Sequence, residues 1–541
     1  MQQVECAGSA APEPALKIVV IDDDPTGSQA VHGCPLLLRW DPASLALALR
    51  QPSPLLFLLA NTRALAPDQA RQRVREICRV LAPALAAAQA EGVIDRWLVV
   101  SRGDSTLRGH FPLEVEEISA ALGPFEATLL VPAFLEGGRT TLAGVHRLQG
   151  QPVHETAFAR DGLFGYTSSY LPDWVAEKSG GRIAAAAVQR LSLAELEGPA
   201  PALRQRLAGL AGQVVVAVDA TEPRHLRALA AAVRALQSAP AAAETPRASG
   251  FASGAAAPIT AAPTALTPAP ADAVAVGPVP VSPVTVGLVT ACTVTGDRVT
   301  DDAATDDPAT SAGPPRRFLF QSAAGLIAAL ADLPPQPRDG PALAALRRRD
   351  AEGAWPGLVL VGSHVPLADR QLARLLAEER CGGVEVAVAQ VQRLLEGPVP
   401  DLLLASLERA WLEQLRQQLA AGRTPVLYTS RGERRCRDGA ERRRLGLVLA
   451  ASQARLAAAL APQLGYVISK GGITTHTLLA DGFDLAAVQL QGQLLPGLSL
   501  VLADLPVERP GEEQAALPVL TFPGNLGDDD SLRSAWGRME G

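Results

Sequence analysis

The chain has 541 residues, 48% of them hydrophobic and 19% charged, with a formal net charge of −7. A chain this apolar can bury enough surface to offset the entropy of ordering, which excludes disorder throughout and allows two or more domains. The acidic balance argues against nucleic acid as the main partner, and no run of about twenty apolar residues free of charge or Pro predicts a membrane span.

The first segment, MQQVECAGSAAPEP, has neither a basic nor an apolar stretch, so no secretory leader is expected. Cys6, Cys34, Cys78, Cys292, Cys381 and Cys436 are scattered without a CxxC pair. That spacing fits a reducing cytoplasm rather than a disulfide scaffold or a structural zinc site. Residues 16–21 (LKIVVI) then form a continuous apolar run, as expected for a strand buried on both faces. A second such run covers 55–60. A helix is predicted over 67–89, opened by Pro67 and apolar at helical spacing. Further strands are predicted at 97–100, 128–131 and 214–218. Each strand ends in polar residues: DDDPTGS, NTR, SRGDST, PAFLEGGR and DATE. In an open parallel sheet, ligands bind beyond the carboxyl ends of the strands, so polar residues collecting there point to a site.

Residues 240–315 are rich in Ala, Pro, Thr and Ser, then acidic, with no usable periodicity, which predicts a flexible linker or insertion. Alternating strands and helices resume beyond it. Strands are expected at 358–361, 384–388, 425–428 and 465–469, with a helix from 367 and a last strand-loop-helix signal in LPVLTFPGNLGDDDSL. The fold class is therefore α/β. Two domains are expected, 1–239 and 316–541, each with a mostly parallel sheet flanked by helices, and ligands in the cleft between them.

Three segments of the first half carry candidate chemistry. Asp22-Asp23-Asp24 are consecutive carboxylates at a buried strand end, where mutual repulsion makes a purely structural role for all three costly. A cation site or a proton acceptor is one reading, and turn and capping chemistry around Pro25 is the other. Arg102, Asp104, Ser105 and Arg108 bring guanidinium forks, a carboxylate and a hydroxyl together, as a polyhydroxy acid would need. A surface ion pair of Asp104 with Arg108 on a short helix is the alternative. Glu136-Gly137-Gly138-Arg139-Thr140-Thr141 repeats that mixture. In the second half, Gly362-Ser363-His364, Gly471-Gly472-Ile473-Thr474 and Gly524-Asn525-Leu526-Gly527 are glycine turns after strands and together suggest a phosphate-binding rim. Lys470 either adds charge there or is a solvated lysine. His32, His110, His364 and His476 fall near these loops and are expected to pack rather than catalyse. There is no GxxxxGK[ST], no GxGxxG after a strand, no GxSxG and no HExxH.

At IDDDPTGSQAVHGCPLL, SRGDSTLRGHFPLE, VPAFLEGGRTTLAGVH, LVGSHVPLADRQL, ISKGGITTHTLLADGF, GQLLPGLSL and TFPGNLGDDDSL the sequence resembles the four-carbon acid sugar kinases, in that family's order and over most of the chain. The resemblance implies an N-terminal sugar-acid domain and a C-terminal nucleotide domain. It further implies ATP-dependent phosphorylation of the terminal hydroxyl of a tetronate or 3-oxo-tetronate, with Mg²⁺. Carried over by motif, Asp23, Asp24, Asp104, Ser105, Arg108 and Arg139 would face the sugar acid. Ser363, Gly471, Gly472, Ile473, Thr474, Gly524, Asn525 and Gly527 would surround ATP. The sequence departs from the family in its long insertion and in Ile473, where some relatives place an acidic residue, so no metal ligand is assigned. Arg108 and Arg102 are expected to hold the substrate carboxylate. Asp24 is preferred as the catalytic group at the terminal hydroxyl, with Asp23 and Asp104 as the other candidates. The implied partners are the sugar acid and ATP, with neither nucleic acid nor membrane, and a homo-oligomer left open. A sugar-acid dehydrogenase and a non-catalytic nucleotide or sugar-acid sensor are the competing readings.

Overall fold

The computed structural model describes residues 16–27, 31–237, 317–351, 353–432, 436–505 and 516–541. The expected insertion at 240–315, the first fifteen residues and Ser28 of the acidic loop lie outside them. The first half contributes β1 Leu16–Asp22, β2 Cys34–Leu37, β3 Leu55–Leu59, β4 Arg96–Arg102, β5 Ala127–Val131, β6 Arg139–Leu142, β7 Val145–Leu148, β8 Gln151–Pro152, β9 Gln189–Leu191 and β10 Val214–Val218. Beyond the insertion come β11 Phe318–Ser322, β12 Arg349–Asp350, β13 Gly353–Ala354, β14 Gly357–Val361, β15 Cys381–Val386, β16 Thr424–Thr429, β17 Tyr466–Lys470, β18 Ala487–Leu495, β19 Leu498–Ala503 and β20 Leu517–Phe522.

The α/β reading holds, with one difference in construction. The two halves share a single sheet, in the order β15-β16-β14-β17-β20-β19-β18-β2-β3-β1-β4-β11-β5-β10-β9. Both flanks are parallel. The chain turns antiparallel only at β20-β19-β18, and β18 pairs antiparallel with β2, joining the halves. The hairpin between β18 and β19 turns at Pro496-Gly497, where Gly497 has φ +78°, a conformation that glycine adopts without a Cβ penalty.

The boundary expected at 316 is corrected by β11. This strand does not open a C-terminal domain; it lies between β4 and β5, parallel to both. Phe318, Leu319 and Phe320 are fully buried, alternating between the two faces of the first-half sheet. The slot between β4 and β5 would otherwise leave two rows of backbone groups unpaired, and a strand from far along the chain fills it.

Helices cover both faces. The Pro67–Ala90 helix buries Ala70, Val74, Ile77, Cys78, Leu81 and Leu85 against Val19, Ile21, Leu56 and Leu58. Fully burying one such side chain contributes about 1.5–3 kcal/mol. One helix, Gly439–Gln463, is long and apolar enough by composition to cross a membrane, but 56% of its apolar window is buried within the fold. Register aligns the carboxyl ends: Leu59, Asp22, Arg102, Ser322 and Val131 stand in one row across five strands. The polar loops named above leave the sheet from that row.

Candidate functional site

Beyond the β1 end, the acidic triplet is packed among arginines. Among the described residues no group of three or more His, Cys, Asp or Glu side chains is placed to hold a metal. Arginines neutralise the carboxylates instead. Arg63 grips Asp23 with both arms, Nε to Oδ2 at 3.0 Å and Nη2 to Oδ1 at 2.6 Å, and its Nη1 lies 3.5 Å from Asp24 and 3.7 Å from Asp104. Arg102 Nη1 donates to Asp22 Oδ1 at 3.1 Å and to Asp23 Oδ1 at 2.9 Å. Arg108 Nε donates to Asp104 Oδ2 at 2.7 Å, and its Nη1 lies 3.7 Å from Asp161. The Asp104–Arg108 pair therefore exists, but on a turn rather than a helix, with Leu107 at φ +65°. Bidentate charge-assisted bonds of this kind fix orientation as well as charge.

Arg63 is the residue that sequence reasoning missed. It belongs to the NTR strand end, and only the parallel pairing of β1 with β3 brings it over the triplet. Arg102, expected to hold a substrate carboxylate, is buried under the acidic loop, where its Nη1 is shared between Asp22 and Asp23 and its Nε has no hydrogen-bond partner. Gly27 passes so close that a Cβ there would collide with Arg102 and Asp22. Arg139 is buried with no carboxylate within ion-pair distance among the described residues, and its Nε has no hydrogen-bond partner. It starts the small antiparallel β6-β7-β8 sheet, whose Ala143-Gly144 turn is held by the Asp219 carboxylate. The same sheet presents His146. Its Nε2 donates to the Ser105 carbonyl at 2.8 Å, so its Nδ1 accepts from the Thr141 hydroxyl at 2.9 Å. Burial holds His146 down at about 4, so it stays neutral and pins the Ser105 backbone.

The charges differ in kind. Burial raises Asp22 to about 7, opposed by Arg102, and its Oδ2 has no partner. Burial, then Asp23, also push Glu114 up; it accepts from the Thr62 hydroxyl. Asp24 and Asp104 go the other way. Burial opposes ionisation of both, but Arg63 and Arg102 at Asp24, and Arg108 and Arg63 at Asp104, outweigh it and hold both carboxyls below the usual range. A raised acid keeps its proton in the fold after the unfolded chain has lost it. Asp22 therefore makes stability fall as pH rises from about 4 to about 7, by up to roughly 4 kcal/mol. Asp22→Asn is expected to flatten that decline in denaturant titrations at pH 4.5, 6 and 8; parallel curves for variant and parent would show that Asp22 is ionised throughout.

Asp23, Asp104, Arg108, Glu114, Trp174 and Gln321 line a narrow cleft of about 20 Å³. Gln321 comes from β11, outside the segments that sequence reading singled out, and a Cβ on Gly103 would stand 2.5 Å from its Nε2. His110 also lines the cleft, with Nε2 bonded to the carbonyls of Thr62 and Leu65, a packing role as expected.

The second-half glycine turns do converge. Gly362 has no room for a Cβ beside the Thr474 hydroxyl, a Cβ on Gly471 would lie 3.3 Å from the Ser363 nitrogen, and one on Gly524 would lie 3.2 Å from Ser363 Cβ. Asn525 is half-buried in the same loop. Gly527, at φ +85°, is followed by Asp528, whose backbone N donates to the Ser531 hydroxyl at 2.8 Å while that hydroxyl donates to the Asp528 carboxylate at 2.7 Å. Gln371 donates to the carbonyls of Leu526 and Asp528, tying that loop to the Pro366–Leu376 helix. Ile473 stands exposed at the rim, while Thr474 is buried. Lys470 is not solvated. It is fully buried, its Nζ donates to the Pro523 carbonyl at 3.0 Å, and burial and Arg431 hold it well below the ordinary lysine range. Arg431, also missed from sequence, donates to the Ser363 carbonyl at 2.6 Å and to Asp369 at 3.1 Å.

One contact links the two clusters. A Cβ on Gly472 would drive into the Asp24 carboxylate, 2.8 Å from its Cγ. Asp24 thus faces the start of the Gly472–Thr477 helix while its other side faces Arg63.

Comparison with known proteins agrees with this two-part layout. Residues 18–255 match the model of a sugar-binding N-terminal domain, and residues 358–532 match that of a nucleotide-binding C-terminal domain. The β11 strand falls between the matched segments. The chain is 30% identical over 225 residues to a D-erythronate kinase of Heliobacterium modesticaldum, covering 39% of this chain and 47% of that protein. It is 32% identical over 164 residues to a D-threonate kinase of Bordetella bronchiseptica, covering 29% and 37%. The matched stretches thus span less than half the length of these curated relatives. A solved structure from Salmonella typhimurium LT2, described provisionally as a tRNA synthase, superposes with a TM-score of 0.55 at 16% identity, covering 96% of this chain and 98% of that one. A likeness at that identity speaks to the fold alone.

Proposed function

Because the chain belongs to the four-carbon acid sugar kinase family, we propose that it transfers the γ-phosphoryl group of ATP to the terminal hydroxyl of a four-carbon sugar acid, a tetronate or 3-oxo-tetronate. The observation that supports this reading most directly is the approach of Asp24 to Gly472, which sets the acidic loop against the glycine turns. Phosphoryl transfer asks little covalent chemistry of a protein. It asks for an acceptor held in line and for charge neutralised.

In this reading the acceptor occupies the cleft beside Asp104 and Arg108, with its carboxylate toward Arg108 and Arg139. Arg139 suits this because it is a buried cation without a carboxylate of its own. Arg102 takes a positioning role, and so does Ser105 through its backbone. The terminal hydroxyl lies at Asp24. Its oxygen attacks phosphorus as the bond to the ADP oxygen breaks, and its proton passes to Asp24. A carboxylate held below the usual range is a weak base toward a free alcohol. Asp24 therefore orients the hydroxyl first and takes the proton only as the new bond forms. Ser363, Gly471, Gly472, Thr474, Gly524 and Gly527 offer backbone N–H groups and space to the phosphates, with Ile473 and Asn525 at their rim. No protein cage for Mg²⁺ is assigned; the ion would be carried chiefly by the nucleotide phosphates, as it commonly is.

The test is an ADP-release screen over D-erythronate, D-threonate and 3-oxo-tetronates with ATP and Mg²⁺. Acid-dependent ADP formation is the expected result, and its absence across the panel overturns the reading. Gly472→Ala offers a sharper check on the junction. The added methyl must displace Asp24, so kcat is expected to fall at least about tenfold, equivalent to about 1.4 kcal/mol in the barrier, with the fold intact by circular dichroism. Full activity in that variant would remove Asp24 from the reacting centre.

A further inference from the structure

The sugar-acid cleft contains two polar atoms that the protein itself leaves unsatisfied. Gln321 Oε1 and Trp174 Nε1 are both buried without a hydrogen-bond partner, and both residues line the cleft with Asp104 and Arg108. A buried acceptor or donor without a partner is costly, and native proteins rarely keep one without a use. Here there is one of each in the same cleft. Trp174 is fixed by packing on Phe111, with ring centroids 4.9 Å apart. Gln321 is fixed at the end of β11, between β4 and β5, with its amide beside Gly103. Neither side chain can swing out to water without leaving the core.

The charged groups nearby do not serve these two atoms: Arg108 pairs with Asp104 and Asp161, and Asp23 with Arg63. An uncharged hydroxyl is the group that both donates and accepts, so it can serve Gln321 Oε1 as donor and Trp174 Nε1 as acceptor. We infer that Gln321 and Trp174 read the secondary hydroxyls of the sugar acid and so decide between the erythro and threo configurations. The inference rests on the kinase reading for its substrate class but concerns binding, which can be measured without turnover. It also gives β11 a purpose beyond closing the sheet, since the end of that strand brings Gln321, Ser322 and Ala323 to a cleft whose other lining residues lie among the first 180. A pocket that hydrogen-bonds a hydroxyl discriminates strongly against a ligand that cannot supply one in that place, because its own polar groups then stay unpaired.

The experiment compares Gln321→Leu and Trp174→Phe with the parent protein in two assays. Calorimetric titration with D-erythronate and D-threonate, without nucleotide, measures affinity. The kcat/KM for each acid measures selectivity. The expected result is that each variant loses tenfold or more in affinity for the preferred acid and that the ratio between the two acids moves by at least tenfold, with the KM for ATP unchanged. Removing an unsatisfied amide should also leave the ligand-free Gln321→Leu protein as thermally stable as the parent, or more so. Equal losses for both acids, or no loss, overturn the inference, as does a parent protein that binds neither acid. If the parent and variants bind the acids with the expected differences but no ADP forms, the kinase reading fails and this assignment stands. Trp174→Phe keeps the ring and its packing and serves as the second variant should Gln321→Leu fail to fold.

Discussion

Asp24→Asn is expected to lower kcat by about two to four orders of magnitude, the usual contribution of a positioned acid–base group, while the KM for ATP stays within a few fold. Three features single out Asp24 from its neighbours. Its side chain keeps 15% exposure, against 2% for Asp23 and 7% for Asp104, so it alone of the three is appreciably open to a ligand. It faces Gly472, where the phosphates of a bound nucleotide would lie under the proposed reading. Its two oxygens are used unequally. Oδ1 accepts from the Thr26 backbone at 2.8 Å and from the Thr26 hydroxyl, whereas Oδ2 has only the distant arm of Arg63 at 3.5 Å. Asn can keep the Thr26 bonds and the shape, so the variant should fold and lose chiefly the group that receives the proton. Steady-state kinetics with saturating sugar acid checks this. If activity persists within a few fold, Asp24 is not that group. Asp23→Asn and Asp104→Asn make poor controls, because each breaks a close Arg pair and disturbs stability and KM together.

Arg63→Ala carries the second large effect. One guanidinium serves Asp23, Asp24 and Asp104 at once, and removing it strands buried negative charge. Breaking a buried pair by removing one partner typically costs about 3–5 kcal/mol, far more than the net worth of the intact pair. The unfolding midpoint in urea should therefore fall sharply at pH 8, where Asp24 and Asp104 are ionised, and kcat should fall at least about a hundredfold as the loop loses its geometry. The deficit should shrink as pH falls. With Arg63 gone, Asp24 and Asp104 lose a cation that held them down and take up protons at higher pH, and protonation relieves the stranded charge. Arg63→Ala combined with Asp23→Asn should recover part of the stability and none of the activity. A single Arg63→Ala variant as stable as the parent at pH 8 would mean that Arg102 and Arg108 suffice to hold the triplet.

Much of the architecture was legible along the chain because buried parallel strands announce themselves as short apolar runs. Residues 16–21, 55–60 and 214–218 all emerge as strands within a residue of their expected ends. The candidate residues were legible for a related reason: Asp22 to Asp24, Asp104, Arg108 and the Gly471-Gly472 turn follow such strands directly, and motif order pointed to the family. Short or distant pairings were not legible. β2 has only four residues, and β18 and β19 are a two-sided hairpin whose role in joining the halves depends on pairing with β2.

The sequence by itself determined the α/β class and the places where polar loops leave strands, because those depend on local periodicity and on residue types at fixed offsets; the expected division into sugar-acid and nucleotide segments came instead from the resemblance of its motifs to a family. Only the tertiary structure decided which charge meets which. Arg63 lies 40 residues from Asp23 and Gln321 more than 200 from Asp104, and each pair meets through strand order, which no local pattern encodes. The environment of Lys470 was likewise invisible. A lysine at a strand end reads as solvated until the surrounding elements close over it, because burial is a property of what packs against a residue rather than of the residue.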